Sequence, residues 1–249
     1  MIKAKLISGQ RYIYWNYLGG ITSNVRINEF PRSGGTWLSK MLAELLALPF
    51  PQNSFIPVER CIEHAHYKGP FNDKTIYVIR DGRDVMTSAF FHFLTYRKNK
   101  PKHLVDKWRR IVGYSNESEP ELFMASFISK FSKNFTIGGR TTSWSEHVSS
   151  FEKNDSKVLV IKYEKMLQSC EEVLIDACQF LEIEPQKEIV DIVNNNSFEK
   201  LAKRKRGVEV ENHFYRKGIS GDWQNYFNDE ALNAFSNLHG EALREWGYD

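Results

Sequence analysis

The feature that most constrains the fold is an alternation of short apolar, β-branched runs with longer amphipathic segments. Three of the runs predict strands, over Val25–Phe30, Thr75–Ile79 and Lys157–Ile161. The second (TIYVI) is almost wholly apolar or β-branched, as expected for a strand covered on both faces. Strands that alternate with helices form parallel sheets, because the chain must cross back between neighbouring strands. We therefore predict an α/β fold, a single domain with a central parallel sheet flanked by helices.

The predicted helices occupy the segments between and after these strands. They begin near Trp37, at an Asp84 cap, and at a capping box formed by Ser143 and Glu146. Further helices are predicted over residues 170–182, 186–194 and 229–245, the last with Asp229 as its N-cap. In such sheets ligands bind beyond the carboxyl ends of the strands, so the loops after the predicted strands are expected to carry function.

Composition excludes several other classes of protein. The chain has 249 residues, and 34 Lys+Arg against 31 Asp+Glu leave a net charge of only +3, which argues against nucleic acid as a partner. No apolar run approaches the roughly 18 residues of a membrane span. Three cysteines cannot all pair, and no secretory apolar segment is present at the start, so a reducing, cytoplasmic location is expected.

The loop after the first predicted strand has the properties of an anion site. Phe30 is followed by PRSGGTW, in which two glycines let a ligand approach the backbone and a helix start offers unpaired N–H groups. Arg32 and the hydroxyls of Ser33 and Thr36 add side-chain donors. The alternative is a tight strand-to-helix turn without a ligand. The loop lacks the spacing and the lysine of G-x-x-x-x-G-K-[ST], the loop of ATP-binding kinases.

The segment RDGRDVMTS directly follows the second predicted strand. Arg80 emerges at the strand end, and Ser88 lies about one helical turn beyond the Asp84 cap. An arginine fork and a serine hydroxyl in these positions could reach the same phosphate. The alternative is an ion pair between Arg80 and Asp84 with no ligand.

Four segments in this order resemble the sulfotransferases that use 3′-phosphoadenosine 5′-phosphosulfate (PAPS). FPRSGGTWL resembles their 5′-phosphosulfate-binding loop, and YVIRDGRDVMTSAFFHF their 3′-phosphate-binding strand and helix. VLVIKYEKML is similar to a third-strand segment whose tyrosine lies near the adenine, and RKGISGDWQNYF is similar to the family's C-terminal RKG-x-x-GDW loop. The resemblance implies a P-loop-nucleotide-hydrolase-like sulfotransferase fold over residues 1–249, with residues 1–24 as an N-terminal segment on the acceptor side.

The resemblance also implies roles at the 5′ end of PAPS. Arg32 would bind the bridging oxygen between phosphate and sulfate, where charge develops during the reaction. Trp37 and Phe198 would stack on adenine, with Tyr163 nearby. Gly35 departs from the double threonine common in this loop. The 5′-phosphate would be held by the backbone of the loop, at Ser33, Gly34, Gly35, Thr36 and Trp37.

The resemblance assigns the 3′-phosphate to two segments that lie far apart in the sequence. Because ATP lacks this phosphate, cations placed around it would favour PAPS and its product 3′-phosphoadenosine 5′-phosphate (PAP). The implied ligands are Arg80, Ser88, Arg216, Lys217 and Gly218. The basic run Lys203–Arg206 is a separate feature that we predict to be a solvated helix face or to guide an acidic cofactor or acceptor.

The base that the family implies is a histidine before the second strand of the predicted sheet. His66 occupies that place and is the predicted base. His64 is the alternative, because both side chains would point to the same side of an extended segment. Cys61, His64 and His66 also suggest a metal site, but no fourth ligand has suitable spacing, so no metal is expected. His147, in a family-like S-W-x-x-H-V segment, is expected to pack near the substrate side.

The expected reaction is in-line displacement at sulfur by a hydroxyl or amine of a small-molecule or glycan acceptor. The sequence does not identify this acceptor, which residues 1–24, 92–142 and 207–215 would contact. The family's dimer signature is not matched at Phe227–Glu230, so the oligomeric state is left open. The alternatives are an ATP-dependent P-loop kinase and a catalytically silent nucleotide-binding member of the family.

Overall fold

The computed structural model describes residues 2–18, 23–52, 54–56, 59–96, 100–208 and 216–248. The chain divides into two compact units. The first comprises Met1–Ile79 and Ser150–Leu201, and the second Arg80–Ser149 and Ala202–Asp249. Most of the predicted acceptor loop 207–215, and residues 1 and 19–22 of the predicted acceptor segment, lie outside the described residues.

The helices and strands follow the predicted alternation. The strands are β1 Val25–Glu29, β2 Ile62–Ala65, β3 Thr75–Ile79, β4 Thr136–Ile137, β5 Arg140–Thr141 and β6 Val158–Lys162. The helices are α1 Ile2–Ile13, α2 Gly35–Leu45, α3 Gly82–Leu94, α4 Lys102–Val112, α5 Glu121–Asn134, α6 Trp144–Val148, α7 Tyr163–Gln168, α8 Cys170–Leu181, α9 Ile189–Asn195, α10 Phe198–Ala202 and α11 Asp229–Glu245. A π-helical turn, Tyr14–Leu18, follows α1, and a 3₁₀ turn, Asp222–Asn225, precedes α11.

The first unit contains the parallel sheet, in the order β2-β1-β3-β6. Every pairing in it is parallel, and every residue of β1 and β3 is buried, as expected for the central strands. The prediction of an α/β fold with a parallel sheet is thus confirmed. The edge strand β2 was not predicted, because its four residues, IEHA, carry two polar side chains and lack an apolar run.

The core of the first unit forms where α2 packs on the sheet. Leu38, Met41, Leu42 and Leu45 are fully buried on one face of this helix, in a cluster that includes Ile27 of β1. Burying a leucine side chain contributes about 1.5–3 kcal/mol, so this face is sufficient to fix the helix on the sheet. Its packing also fixes the loop between β1 and α2.

The core of the second unit is rich in aromatic side chains. The rings of Phe127 and Phe131 on α5 stack at a centroid distance of 5.0 Å, and Phe90 of α3 contacts Phe127 edge-on at 5.3 Å. Trp108 of α4 is buried against Phe131 at 5.3 Å. Part of the aromatic content of residues 92–142 therefore forms core.

Two predicted helix caps are shifted in the structure. The N-cap of α3 is Asp81, whose carboxylate accepts from the Arg83 amide, so Asp84 lies inside the first turn. Asn228 and not Asp229 caps α11, by accepting from the Ala231 amide at 2.9 Å. Asp84 is excluded from the cap because its carboxylate has other partners, described below. The predicted capping box before α6 is confirmed.

None of the three cysteines forms a disulfide: Cys61 and Cys178 are buried, and Cys170 is half-buried. Burial raises the pKa of the Cys61 thiol to about 12, so this group stays protonated. Among the described residues, every helix is too short or too polar to cross a membrane.

Candidate active site

The parallel sheet brings the carboxyl ends of β1 and β2 side by side. The strand register pairs Asn28 with Ala65, so the next residues, Glu29 and His66, are also neighbours. The Asn28 side chain accepts from the Tyr67 amide at 3.0 Å and donates to the Tyr67 carbonyl at 2.7 Å. These two bonds extend the pairing beyond the sheet and fix the segment that carries His66.

The loop between β1 and α2 is a tight turn with two left-handed residues. Arg32 has φ +81° and Gly34 has φ +108°. The Ser33 hydroxyl donates to the Phe30 carbonyl at 2.7 Å, and the Gly34 carbonyl accepts from the Trp37 amide. A non-glycine residue in the left-handed region costs of order 1–3 kcal/mol and is held there only by its surroundings. The structure therefore supports a preformed loop, with the Ser33 hydroxyl directed to its own backbone.

Gly34 lies against the ring of Tyr163, the first residue of α7. A Cβ at Gly34 would lie 2.6 Å from Cδ2 of Tyr163. Trp37 contacts the same ring edge-on at 6.3 Å, and its indole N–H donates to the Asn196 carbonyl at 2.9 Å. The structure thus brings together the first-loop residues and two of the aromatic residues predicted near adenine. Phe198 is buried two residues after Asn196.

Glu29, at the end of β1, binds three groups around the predicted base. Its carboxylate accepts from the Gly35 amide at 2.5 Å and lies 3.2 Å from His64 Nε2. Its backbone carbonyl lies 3.1 Å from His66 Nδ1. The two imidazole rings meet edge to face at 4.8 Å, so the prediction that both lie on the same side is confirmed.

The charges of this group follow from burial and pairing. Burial alone would raise the pKa of Glu29, but the hydrogen bond and charge of His64 outweigh it, and the pKa lies below its ordinary value. Burial, together with the charge of His64, lowers the pKa of His66 to about 4. At neutral pH we therefore expect an ionised Glu29 beside a neutral His66. Neutral imidazole is the form that accepts a proton.

The sequence suggested a metal site formed by Cys61, His64 and His66. In the structure, Glu29 and not Cys61 lies beside the two histidines. Glu29, His64 and His66 present ligand atoms within 4.8 Å of one another. The Cys61 backbone and thiol bond instead to the Asn24 side chain. Ligand atoms around tetrahedral zinc lie only about 3.4 Å apart, given Zn–N bonds of about 2.0–2.1 Å. The hydrogen bonds of Glu29 account for the grouping without an ion.

In the second unit, the Arg80 guanidinium contacts a backbone carbonyl and a carboxylate. Its Nη2 donates to the Ile219 carbonyl at 3.0 Å and lies 3.5 Å from the Asp84 carboxylate. The predicted pair between Arg80 and Asp84 is therefore present at that distance. Asp84 is fully buried and accepts from the amides of Gly221 and Trp223 at 2.7 and 3.0 Å. Through Asp84, α3 fixes the GDW segment near Arg80.

Arg216 and Lys217 share one buried counter-ion. Asp222 pairs with the Arg216 guanidinium and lies 2.9 Å from Lys217 Nζ, which also contacts the Tyr226 hydroxyl at 3.0 Å. Burial would raise the pKa of Asp222, but the charge of Arg216 and the hydrogen bond from Lys217 hold it below its ordinary value. The two cations are therefore fixed beside each other. Gly218, the next residue, is left-handed with φ +67°.

The basic run at 203–206 is not a helix face. Helix α10 ends at Ala202, and Lys203 is left-handed with φ +54°. Arg204 turns inward and donates to the backbone carbonyls of Arg216 and Val208, at 2.5 and 2.8 Å. Lys205 and Arg206 are exposed. The prediction of a helix face was wrong, because a run of like charges does not show where the helix ends or which of its members turns to backbone acceptors. A role of the run in guiding an acidic cofactor or acceptor stays a prediction.

Sequence reasoning missed two functional candidates, Glu29 and Asp222. Both are carboxylates that accept from predicted site residues. A signal was available at Glu29, since an acidic residue ends an otherwise buried strand immediately before the anion loop. His147 is fully buried on α6, as expected for a packing residue.

A family model for the sulfotransferase domain matches residues 71–247. The match includes Arg80, Ser88 and Arg216, whereas the first loop and His66 precede it. Sulfotransferase 1E1 of Homo sapiens is 30% identical over 186 residues, covering 69% of this chain and 55% of that protein. The chain thus spans little more than half the length of this relative.

Two further proteins are similar over most of their length. Sulfotransferase 1E1 of Cavia porcellus is 29% identical over 270 residues, covering 93% of this chain and 88% of that protein. The crystal structure of mouse sulfotransferase SULT7A1, solved with PAP, matches with a TM-score of 0.64 and 25% identity. The matched region covers 92% of this chain and 88% of the chain in that crystal structure.

Proposed function

The chain belongs to the sulfotransferase domain family, and from this premise we propose that it transfers a sulfuryl group from PAPS to an acceptor hydroxyl or amine. The observation that carries the proposal is the loop from Arg32 to Gly34. Its left-handed turns lead directly into α2, a helix whose N-terminus favours anions. A neutral His66 on the adjacent strand end adds a base to this anion site.

The first loop fits the 5′ end of PAPS. The ring of Tyr163 fills the space that a Cβ on Gly34 would need, which fixes the turn, and glycine carries no side chain that would keep a ligand from the backbone. We assign the 5′-phosphate to the backbone of Ser33, Gly34, Thr36 and Trp37 and the bridging oxygen to Arg32. The amide of Gly35, also predicted for this role, is bonded to Glu29 in this structure. Trp37, Tyr163 and Phe198 are proposed to contact the adenine.

The second unit fits a phosphate dianion. Arg216 and Lys217 stand side by side on one carboxylate, and Gly218 follows in a left-handed turn. Two cations on one carboxylate leave an excess of positive charge, which a phosphate would neutralise. With Arg80 and Ser88, these residues are proposed to bind the 3′-phosphate. That phosphate is the group that distinguishes PAPS and PAP from ATP.

PAPS, when bound, supplies the sulfuryl group as part of a phosphate–sulfate anhydride. His66 accepts the proton of the attacking acceptor hydroxyl or amine at Nε2, because its Nδ1–H donates to the Glu29 carbonyl. Arg32 neutralises the charge that develops on the oxygen leaving sulfur. A donor at such a position contributes about 10²–10³ in rate. These residues need no metal to perform their roles.

We propose a small-molecule or glycan acceptor, of which the reaction itself requires only a hydroxyl or an amine. We propose a cytoplasmic location, which the three unpaired cysteines support. We also propose that residues 1–24 contribute to the acceptor side, as the family resemblance implied.

The test has two parts. PAP is compared with ATP and Mg²⁺ in a thermal-unfolding assay, where a ligand at 100 times its dissociation constant adds about 2.7 kcal/mol of stability. Labelled PAPS is then offered with panels of phenols, alcohols, amines and glycans. We expect stabilisation by PAP and transfer of label to at least one panel. Stabilisation by ATP with Mg²⁺ and not by PAP would favour a kinase and overturn the proposal. Binding of PAP without transfer to any panel would favour a catalytically silent protein.

A further inference from the structure

We propose that Glu29 is a positioning residue that holds the histidine pair and the first turn of α2 in one arrangement. This inference rests on the proposed function, because it assigns Glu29 a part in the same transfer reaction. Glu29 itself is not proposed to touch the substrate. It acts through His64, His66 and Gly35.

The contacts of Glu29 define the direction of each hydrogen bond. A carbonyl oxygen can only accept, so His66 Nδ1–H donates to the Glu29 backbone and the lone pair of His66 is on Nε2. The Glu29 carboxylate is 4% exposed and ionised, so His64 Nε2–H donates to it. One residue therefore selects the tautomers of both imidazoles, through its side chain for His64 and its main chain for His66.

The space around Gly35 shows that the carboxylate is built into the loop. A Cβ at Gly35 would lie 2.8 Å from Glu29 Cδ and 2.9 Å from His64 Nε2. Contacts below 3.0 Å require a neighbour to shift, so any side chain at position 35 would displace the carboxylate or the imidazole. Gly35 and Glu29 are thus complementary. The residue that departs from the family's double threonine leaves room for the carboxylate and donates an amide to it at 2.5 Å.

The arrangement has a chemical consequence for the base. A proton accepted at Nε2 makes His66 an imidazolium in a buried site, which is costly unless a negative charge is near. The Glu29 carboxylate supplies that charge from within 4.8 Å, while its own hydrogen bonds go to His64 and Gly35. The other charges that act on His66, that of His64 when it is protonated and that of Arg11, oppose its protonation. Glu29 is therefore the source of favourable charge among these groups.

The experiment compares Glu29→Gln with the unmodified protein in the labelled-PAPS assay. Glutamine keeps the shape and removes the charge. We expect kcat to fall about 10- to 100-fold, less than the roughly 10²–10⁴-fold contribution of a whole general base. The dissociation constant for PAP should stay within about threefold, since Glu29 binds no phosphate. Glu63→Gln is the matched control, because Glu63 is an equally buried acid on β2 that pairs with Arg26. It should leave kcat within about threefold.

A spectroscopic measurement keeps the test independent of folding defects in the variant. In the unmodified protein, NMR of ¹⁵N-labelled histidine should show His66 protonated at Nδ1 and His64 at Nε2. The opposite tautomer at His66 would overturn the proposal whatever the kinetics. A Glu29→Gln variant that turns over like the unmodified protein would overturn it as well. If the unmodified protein transfers no label, the proposed function fails instead, and the two failures are thereby distinguished.

A double-mutant cycle tests the complementarity of Gly35 and Glu29. Gly35→Ala should lower kcat because its Cβ displaces the carboxylate or His64. If Gly35→Ala and Glu29→Gln both act through the same carboxylate, the fall in kcat of the double variant should be about as large as that of the more impaired single variant. Additive losses would show that Gly35 acts only through the phosphate loop and would contradict the coupling.

Discussion

The ring of Tyr163 occupies the place that a side chain on Gly34 would need, with Cδ2 only 2.6 Å from the position of a Cβ. Gly34 is also left-handed, with φ +108°. Backbone conformation and close packing thus both require glycine at the start of α2. Because Tyr163 directly follows β6, the shape of the anion loop depends on a second strand of the sheet as well as on β1.

Gly34→Ala is expected to destabilise the protein and to abolish PAP binding. The left-handed conformation costs an alanine about 1–2 kcal/mol, and overpacking against Tyr163 adds about 1–3 kcal/mol. Urea unfolding and PAP titration measure the two effects.

Gly139→Ala separates the two causes of that loss. Gly139 has φ +81°, but a Cβ there would meet no atom within 4 Å. The Gly139→Ala variant should lose only the conformational contribution to stability, about 1–2 kcal/mol, and should bind PAP as the unmodified protein does. Equal losses of stability in the two variants would show that Tyr163 does not restrict position 34.

Arg216→Ala and Lys217→Ala are expected to weaken the binding of PAP much more than that of adenosine 5′-phosphosulfate, which has no 3′-phosphate. A hydrogen bond to a charged group contributes about 1.5–3 kcal/mol, which corresponds to roughly 10- to 150-fold in affinity. Isothermal titration with both ligands measures the difference. Lys205→Ala, at an exposed lysine of the basic run, is the control and should change neither affinity. Equal losses for both ligands would contradict the assignment of these cations to the 3′-phosphate.

His66→Ala is expected to reduce turnover by about 10²–10⁴-fold while leaving PAP binding within about threefold, because a base acts on the acceptor. His64→Ala should have the smaller effect, since His64 only supports its neighbour. His103→Ala, at an exposed histidine of α4, should be neutral. If the His64 variant is the inactive one, the roles of the two histidines are reversed.

The pH dependence of kcat/KM gives a second test of His66. Burial lowers the pKa of His66 to about 4, so the base remains neutral well below the ordinary histidine pKa of about 6.5. We expect kcat/KM to stay level from about pH 7 down to about pH 5.5. A decline centred near pH 6.5 would indicate a more exposed base than the structure shows.

His239, in the second unit, is expected to make stability depend on pH. It is buried between the hydroxyls of Ser132 and Ser145, at 2.9 Å from each, and burial lowers its pKa to about 4. Between pH 4 and 6.5 the unfolded chain binds more protons at this position, so stability falls as the pH is lowered through that range. The slope from one such group is at most about 1.4 kcal/mol per pH unit.

Urea unfolding at several pH values measures this slope. His239→Gln should reduce it, whereas His103→Gln should leave it unchanged, because His103 is exposed. His66 contributes with the same sign, so a residual slope is expected in the His239 variant. An unchanged slope would show that His239 does not titrate in this range.

Much of the fold was predictable because it depends on local patterns. The bounds of β3 were predicted without error, β1 ends one residue earlier than predicted, and β6 is shifted by one residue at both ends. By contrast, β2 was not predicted, because it is stabilised by pairing with β1 and its own composition does not indicate a strand. The caps of α3 and α11 shifted by one to three residues, since several polar residues compete for each helix end.

The individual site residues were predictable as far as each depends on its own motif. The structure confirms a tight strand-to-helix loop at Arg32–Gly34 and places His64 and His66 side by side. The carboxylate pairings at the site were not predicted, because residue type alone does not show which cation or imidazole a carboxylate will bind. Asp222 binds Arg216 and Lys217 within a short loop, but Glu29 reaches His64 across 35 positions.

By itself, the sequence determined the strand–helix alternation, the loops that carry charge, and the glycines and cations within those loops. These features follow from side-chain periodicity, from backbone freedom and from residue type, all of which are local. Only the tertiary structure decided which groups are neutral and which carboxylate binds which cation or imidazole. Burial and distance set those charges, and both arise when the sheet brings separate strand ends together. The Glu29 carboxylate beside His64 and Gly35 is the clearest instance, since no local pattern joins the three.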